Sequence, residues 1–328
     1  MRTRLIQASG PLVVYSAAFR PFCAALLEGF NQAYPDIELI FVDDISTRLH
    51  QRFLTLHEQG HPVPDLIWSS AMDLQMSLVL QQHAQPYSSP MVDQLPAWAQ
   101  CQDQAFATTL EPLVHIAHRS AFSDLDRCSS LVEICSLMEQ HGALLKGKLA
   151  CFDIEKNGLS FLALLWASEP SGPYQRFRDL LARMQAQFYD SNPPLIEALQ
   201  SKKALLGLNV LGSFAARALR QDPGLRVGAG QAPRLGVSRI ALITRQANNP
   251  AAAGLFIDYL LSDAGQLRMA QDELFPLRWA QPIDEFPRFS IEPLAINQGF
   301  ERFLDPQKRA NLLDDWQLIR QSGLALSH

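Results

Sequence analysis

Four places in the chain put small hydroxyl or amide side chains where an apolar run ends and a helical pattern begins. Leu12 to Tyr15 stops at Ser16, and Leu66-Ile67-Trp68 stops at Ser69-Ser70 before Ala71-Met72-Asp73. Leu149 to Phe152 gives way to Asp153 and then to Asn157-Gly158-Leu159-Ser160, and Ala204 to Leu208 gives way to Asn209 and then Gly212-Ser213. Apolar runs of this length between polar residues read as buried strands. A hydroxyl at the start of the following helix accepts from its free amides. Those amides and the helix dipole also favour negative charge. The chemistry supported is therefore non-covalent capture of an anion or polar ligand. For any one junction, a serine that merely caps its helix is the simpler reading. The recurrence favours a shared site.

Two further runs carry charge. Phe106 to Ala117 reads as a strand holding Thr109, Glu111 and Pro112, the proline marking a bend or an edge. Val237 to Ile243 reads as a second strand holding Arg239. A buried arginine requires a partner. Either it pairs structurally with Glu111 or it grips an anionic ligand, and both readings stand. The candidate ligand-binding set sets Ser16, Ser69, Ser70 and Thr109 on one side against Asn157, Ser160, Asn209 and Ser213 on the other. Arg239 supplies its full positive charge, with Glu111 beside it. Arg20 reads as a solvated surface residue and Asp73 as a first-turn acid.

The chain has 328 residues, 48% hydrophobic and 19% charged, enough for a sizeable core and for two lobes. A net charge of -5 argues against nucleic acid or an anionic membrane as partner. No apolar run approaches the roughly 20 residues of a transmembrane helix. The five cysteines, Cys23, Cys101, Cys128, Cys135 and Cys151, lack metal-ligand spacing. His115 and His118, three apart in an expected strand, fall on opposite faces and share no metal. No nucleophile elbow, phosphate loop or paired-carboxylate motif is present. No catalytic role, cofactor or metal is expected.

Strands alternate with helical patterns, the signature of an α/β fold with mostly parallel sheets. The expected order is the strands Leu12–Tyr15, Glu38–Val42 and Leu66–Trp68 with a helix from Ile45 to Gln59. A self-contained block follows from Arg119 to Gly236, then a helix from Pro250 to Met269. The tail, Ile291 to Ser322, reads as two helices joined near Asp305-Pro306, with Leu312, Leu313, Trp316 and Ile319 at helical spacing. Two extended crossings, near 107–113 and 236–243, divide the chain into 1–108 with 239–328 and, separately, 109–238.

On these residues the sequence resembles the type 2 periplasmic solute-binding proteins of ABC importers, in the branch of ferric-ion, sugar-phosphate and phosphoglycerate binders. The resemblance rests on Val14-Tyr15-Ser16, Tyr34-Pro35-Asp36-Ile37, Asp65 to Asp73, Thr108 to Pro112, Asn157 to Ser160, Gly207-Leu208-Asn209 and Ala252 to Ser262 with Gly265-Gln266. It implies two α/β lobes closing by a hinge on a small solute, delivery to a membrane permease, a monomer, and a periplasmic location. Met1-Arg2-Thr3-Arg4 opens on basic residues without an apolar stretch behind them, so a leader is expected to be absent from this sequence. The resemblance also turns the loop Tyr189-Asp190-Ser191-Asn192 toward the cleft, making Tyr189 a ligand candidate. Iron binders of this branch carry adjacent tyrosines where this chain has Asn209-Val210-Leu211-Gly212-Ser213. Without those hard anionic donors ferric ion is disfavoured and a small anionic solute preferred. The alternative role is a sensor that docks on a membrane histidine kinase. A third reading, a two-lobed deaminase of the porphobilinogen type, needs a cofactor-bearing cysteine, and no cysteine here sits in a polar catalytic loop.

Overall fold

A computed structural model of the chain describes residues 10–122, 124–125, 128, 130–168, 173–277, 286, 290–297 and 299–325, with side chains to 321. The segment read above for a leader lies outside the described residues. The chain divides into two units. Unit 1 is Met1–Glu111, Val237–Gln281 and Pro293–Leu304, and unit 2 is Pro112–Gly236, Pro282–Glu292 and Asp305–His328.

Unit 1 is built on a six-stranded sheet. Its spatial order is Leu39–Asp43, Leu12–Ser16, Leu66–Ser69, Ile240–Ile243, Ala105–Ala107 and Gln100–Cys101. The first three strands are parallel, with Ser16 opposite both Asp43 and Trp68. Their connections are the helices Ala24–Ala33 and Ser46–Glu58. Parallel neighbours need such crossovers, and the helices bury the sheet's faces. Phe30, Trp68, Phe106 and Phe256 lie at the centre of one apolar cluster, each fully buried. Burying a side chain of this size contributes about 1.5–3 kcal/mol.

Unit 2 repeats the motif. Its central strands run in the order Glu111–His118, Leu206–Leu211, Leu149–Phe152, Gln187–Tyr189. Leu149–Phe152 is parallel to both Gln187–Tyr189 and Leu206–Leu211, while Glu111–His118 is antiparallel to the last. The helices Gly158–Ala167 and Asn192–Gln200 link the parallel strands. Gly207 is required for close packing there, because a Cβ at that position would come within 2.9 Å of both Leu195 and Leu199.

Several expectations need correction. The run Phe106–Ala117 is two strands, broken at residues 108–110, and Pro112 falls just outside the ladder that begins with Leu113 opposite Leu211. Val237–Ile243 also breaks, so Arg239 lies between the strands Arg234–Val237 and Ile240–Ile243 and not within one. Asn209 is inside a strand that continues to Leu211. The Pro250 helix stops at Leu261, where Ser262 Oγ accepts from Gly265 N and starts a second helix, Asp263–Gln271.

The largest correction concerns the tail, assigned in the sequence reading to the same lobe as the amino terminus. It is a short turn, Phe300–Phe303, followed by one long helix, Pro306–Ala325, and that helix belongs to unit 2. Leu312, Trp316 and Ile319 recur at i, i+4 and i+7 and are all buried. Trp316 meets Phe188 edge-on at 4.8 Å and donates from Nε1 to Asp153 Oδ1. Arg320 reaches Asp153 at 3.2 Å and Glu155 at 2.9 Å, and Tyr174 donates to Asp315. The apolar stripe announces that the helix packs. Its polar partners, all in unit 2, decide where.

Candidate functional site

Within each unit the same topology selects the same place. In unit 1 the strand Leu12–Ser16 has its successor, Leu39–Asp43, on one side and the next, Leu66–Ser69, on the other. In unit 2 Leu149–Phe152 is flanked in the same way by Gln187–Tyr189 and Leu206–Leu211. The strand order reverses beside the first strand of each motif. Ligands of open α/β sheets bind at the carboxyl ends of the strands at such a switch point. Ser16 and Ser69 end the strands at the first switch point. Asn157, Ser160, Asn209 and Ser213 lie in or after the strands at the second.

The unit 1 hydroxyls are held by backbone. Ser16 Oγ accepts from Ala18 N at 3.0 Å and Ser69 Oγ from Ala71 N at 3.2 Å. Both are turns ahead of a helix, not caps within it. The helix Met72–Leu80 has Ala71 at its N-cap with no side-chain cap bond, against the expectation that Ser69 or Ser70 caps it. A hydroxyl that accepts one amide keeps its own hydrogen for another acceptor. Ser70 is half-buried. Thr109 differs, since its Oγ1 accepts from Arg239 N at 2.9 Å and donates to Glu111 at 3.5 Å.

Arg239 and Glu111 form an ion pair, Nε to Oε1 2.9 Å, with side chains 2% and 1% exposed. The guanidinium also lies 5.9 Å from the Trp68 ring centre. Of the two readings of Arg239, the structural partner is the one present. Thr108 backs the arrangement from the other side, its N and Oγ1 both donating to Arg239 O. Arg20 is exposed, as read, and tied to Phe41 O and Asp43.

In unit 2 the backbone is prepared differently. Asn157 caps Gly158–Ala167 through Oδ1, accepting from Ser160 N at 3.0 Å, while its Nδ2 donates to Asp190 O. Ser160 Oγ and Ser213 Oγ are buried and have no hydrogen-bond partner among the described residues. Each belongs to the first turn of a ten-residue helix, Gly158–Ala167 and Gly212–Gln221. Ser160 and Asn209 line the same cavity of about 20 Å³, room for about one water. Asn209 has φ +55, in the left-handed region where asparagine is among the few tolerated residues. Tyr189 OH is spent on Gln187 Oε1 and is half-buried.

Three residues support this face without having been singled out for it. His115 is buried in the neighbouring strand, and its Nδ1 accepts a long bond from Asn209 N at 3.5 Å. Burial, and secondarily the charge of Arg234, push its pKa down to about 3, so the ring stays neutral and able to accept. Asn192 Oδ1 accepts from Leu211 N at 3.2 Å, fixing the turn that delivers Ser213. Asp153 accepts from Glu155 N and Trp316 Nε1, anchoring the loop that ends in Asn157. The one visible signal was the asparagine just before a proline pair, in the loop that the resemblance turned toward the cleft. Ser191 is the N-cap of the helix Asn192–Gln200 and makes no side-chain cap bond.

All five cysteines are free thiols, four buried and Cys101 half-buried. Among the described residues no group of three or more His, Cys, Asp or Glu side chains is placed to hold a metal, and no helix is long and apolar enough to cross a membrane.

No protein-family model matches the sequence, and no curated protein does. Solved structures do. The substrate-binding protein of an ABC transporter from Agrobacterium tumefaciens is 26% identical, superposes with a TM-score of 0.86, and covers 95% of this chain and 94% of its own. The periplasmic binding protein AfuA from Actinobacillus pleuropneumoniae, solved with fructose-6-phosphate, is 17% identical at TM-score 0.74, covering 95% and 99%. Iron-bound HitA from Pseudomonas aeruginosa is 12% identical at TM-score 0.72, with the same coverage. The chain therefore has the mixed α/β fold of the type 2 periplasmic substrate-binding proteins of ABC transporters, the fold shared by iron and sugar-phosphate binders.

Proposed function

We propose that the protein is the solute-binding component of an ABC importer and captures a small oxyanion-bearing solute, a phosphorylated or carboxylated metabolite, for a membrane permease. The observation that carries the ligand class is the pair of buried, unpartnered hydroxyls of Ser160 and Ser213 at two helix N-termini. A buried hydroxyl without a partner costs about 1–3 kcal/mol. Helix N-termini and hydroxyl donors match an anion's oxygens. In this reading Ser16, Ser69 and Ser70 offer their free hydroxyl hydrogens from unit 1, and Asn157 and Asn209 orient the unit 2 side. Tyr189 is kept as a further ligand candidate, its hydroxyl engaged by Gln187. Thr109, Glu111 and Arg239 hold the unit 1 backbone and leave the ligand to hydroxyls, amides and helix ends. Neutral donors suit an oxyanion better than ferric ion, which demands hard anionic ligands. Capture shifts the conformational equilibrium toward the form in which both sets of donors reach the solute.

Native mass spectrometry of gently purified protein, followed by calorimetric titration, tests this. The titrants are fructose 6-phosphate, 3-phosphoglycerate, citrate, ferric citrate and glucose. We expect at least one phosphorylated or carboxylated compound to bind, weakened roughly tenfold or more by combining Ser160→Ala with Ser213→Ala. Binding of glucose alone, or stoichiometric ferric binding with visible colour, overturns the reading.

A further inference from the structure

Two histidines of unit 1 meet outside the serine junctions. The His57 and His83 rings lie 4.4 Å apart, centre to centre, at 79° to one another. Both are half-buried. His57 is in the last turn of the helix Ser46–Glu58, and His83 follows the helix Met72–Leu80. In the sequence, His57-Glu58-Gln59-Gly60-His61 has the spacing by which one helix offers two histidines to zinc. The structure does not use it that way. The helix stops at Glu58, Gly60 takes φ +65, and His61 is exposed beyond it. The ring that meets His57 is that of His83.

Several contacts hold the pair in place. His57 Nδ1 lies 3.1 Å from Gln246 Oε1. An amide oxygen only accepts, so Nδ1 carries the hydrogen and Nε2 keeps its lone pair. A bond of this kind on the far nitrogen is what orients the histidine ligands of metals. The His83 ring makes no hydrogen bond among the described residues. Its main chain is fixed on both sides, N donating to Leu78 O and O accepting from Arg245 N. Burial, and then His57 and Arg245, hold its pKa below the ordinary value, so the ring is neutral. Phe53 walls the pair, stacked 6.0 Å from His57 and edge-on 5.5 Å from His83. The carboxyl end of the helix that carries His57 favours a cation.

The spacing matches one chemistry. Two imidazoles on one metal ion, each nitrogen about 2.0–2.1 Å from it, hold their ring centres roughly 4.5–5 Å apart at angles between square and tetrahedral. At 4.4 Å the rings need only turn, with the backbone left where it is. We propose that His57 and His83 together bind one borderline divalent transition-metal ion of the Zn²⁺ or Cu²⁺ kind, His57 giving Nε2 and water filling the remaining positions. Neutral imidazoles suit such an ion, as they do not suit the hard ferric ion. Two protein ligands make an exchangeable site, and the charge of Arg245 opposes the cation, so the affinity is moderate. The site is distinct from the oxyanion site and does not rest on it.

The test is calorimetric titration of the full chain, free of any histidine tag and stripped of metal by a chelator, with zinc chloride. One saturable site is expected. His57→Gln and His83→Gln should each weaken it roughly tenfold or more, while His61→Gln leaves it unchanged. Imidazole nitrogen spectra of the wild type with Zn²⁺ read the rings directly and do not depend on a variant's folding. They should show the His57 and His83 rings shifting together, with His57 Nδ1 still protonated. No saturable zinc binding overturns the proposal and leaves the pair a packing contact. Affinity unchanged in either His57→Gln or His83→Gln overturns it, as does a spectrum in which one of the two rings is unmoved. A loss in His61→Gln as large as in His57→Gln restores the local sequence motif and overturns the pairing.

Discussion

The two switch points share a topology and differ in how their polar groups are used. At the first, Ser16 and Ser69 already answer to the backbone, and the buried guanidinium of Arg239 answers to Glu111. At the second, two hydroxyls are buried without a partner among the described residues, and a left-handed asparagine shares a cavity with one of them. The first face has its polar groups engaged by the protein itself. The second carries a polar demand that, on the proposed reading, a ligand would relieve. The repeated motif thus has one half with its polar groups paired and one half with two left over, and the contrast can be attacked by measurement.

The largest expected effect is on Arg239. Removing one partner of a buried pair strands the other, which costs about 3–5 kcal/mol. Arg239→Ala should therefore lower the stability of ligand-free protein by that order in chemical denaturation. Arg239→Met combined with Glu111→Gln should recover much of it. A loss below about 1 kcal/mol for the alanine variant would return Arg239 to the ligand and erase the contrast.

Next comes acid. His115 is held neutral in the folded state, with a pKa near 3 against an ordinary 6.5. Below pH about 6.5 the unfolded chain takes up a proton that the folded one refuses, so stability falls as pH drops toward 3. The slope from this group approaches about 1.4 kcal/mol per pH unit. His115→Gln should flatten that part of the profile. An unchanged slope would mean the ring is protonated in the fold, and that Asn209 N lacks the acceptor assigned to it.

The smallest effects separate the two faces most sharply. Ser16→Ala removes a made hydrogen bond and should cost about 0.5–1.5 kcal/mol in ligand-free protein. Ser213→Ala removes a hydroxyl with no partner and should be neutral or slightly stabilising, because an apolar group of similar shape suits such a position. The measure is the difference in unfolding midpoint between the two variants. If Ser213→Ala loses as much as Ser16→Ala, unit 2 carries no unmet demand.

Much of this was legible in the sequence, and the gaps have a common cause. Asn157 three residues ahead of Ser160 announced a helix start, and the structure has that bond. The strand ends at Ser16 and Ser69 were visible because apolar runs stop abruptly there. What local pattern cannot give is a partner distant in the chain. Arg239 announced a buried charge and Glu111 was named as one of its two possible partners, but choosing between them took the way residues 108–111 and 237–240 run side by side. The Leu312–Trp316–Ile319 stripe announced packing, yet only Asp153, Phe188 and Tyr174 determine which unit receives it. Asn209 was read at a strand end, whereas its left-handed conformation inside a strand depends on the His115 strand beside it. His115 itself was weighed only as a metal ligand.

The thiols carry a consequence for practical chemistry. Burial raises the pKa of Cys23 to about 12 and of Cys128 and Cys135 to about 11, and lifts Cys151 further. At neutral pH these sulfurs are almost wholly thiol, and the thiolate is the reactive form. Cys101 is also raised, by burial and then by Glu301, but it alone is partly open. The native protein therefore offers one slow attachment point, and it lines a recess of about 310 Å³ in unit 1. A dye fixed at Cys101 would make an optical reporter of that recess without any engineered cysteine.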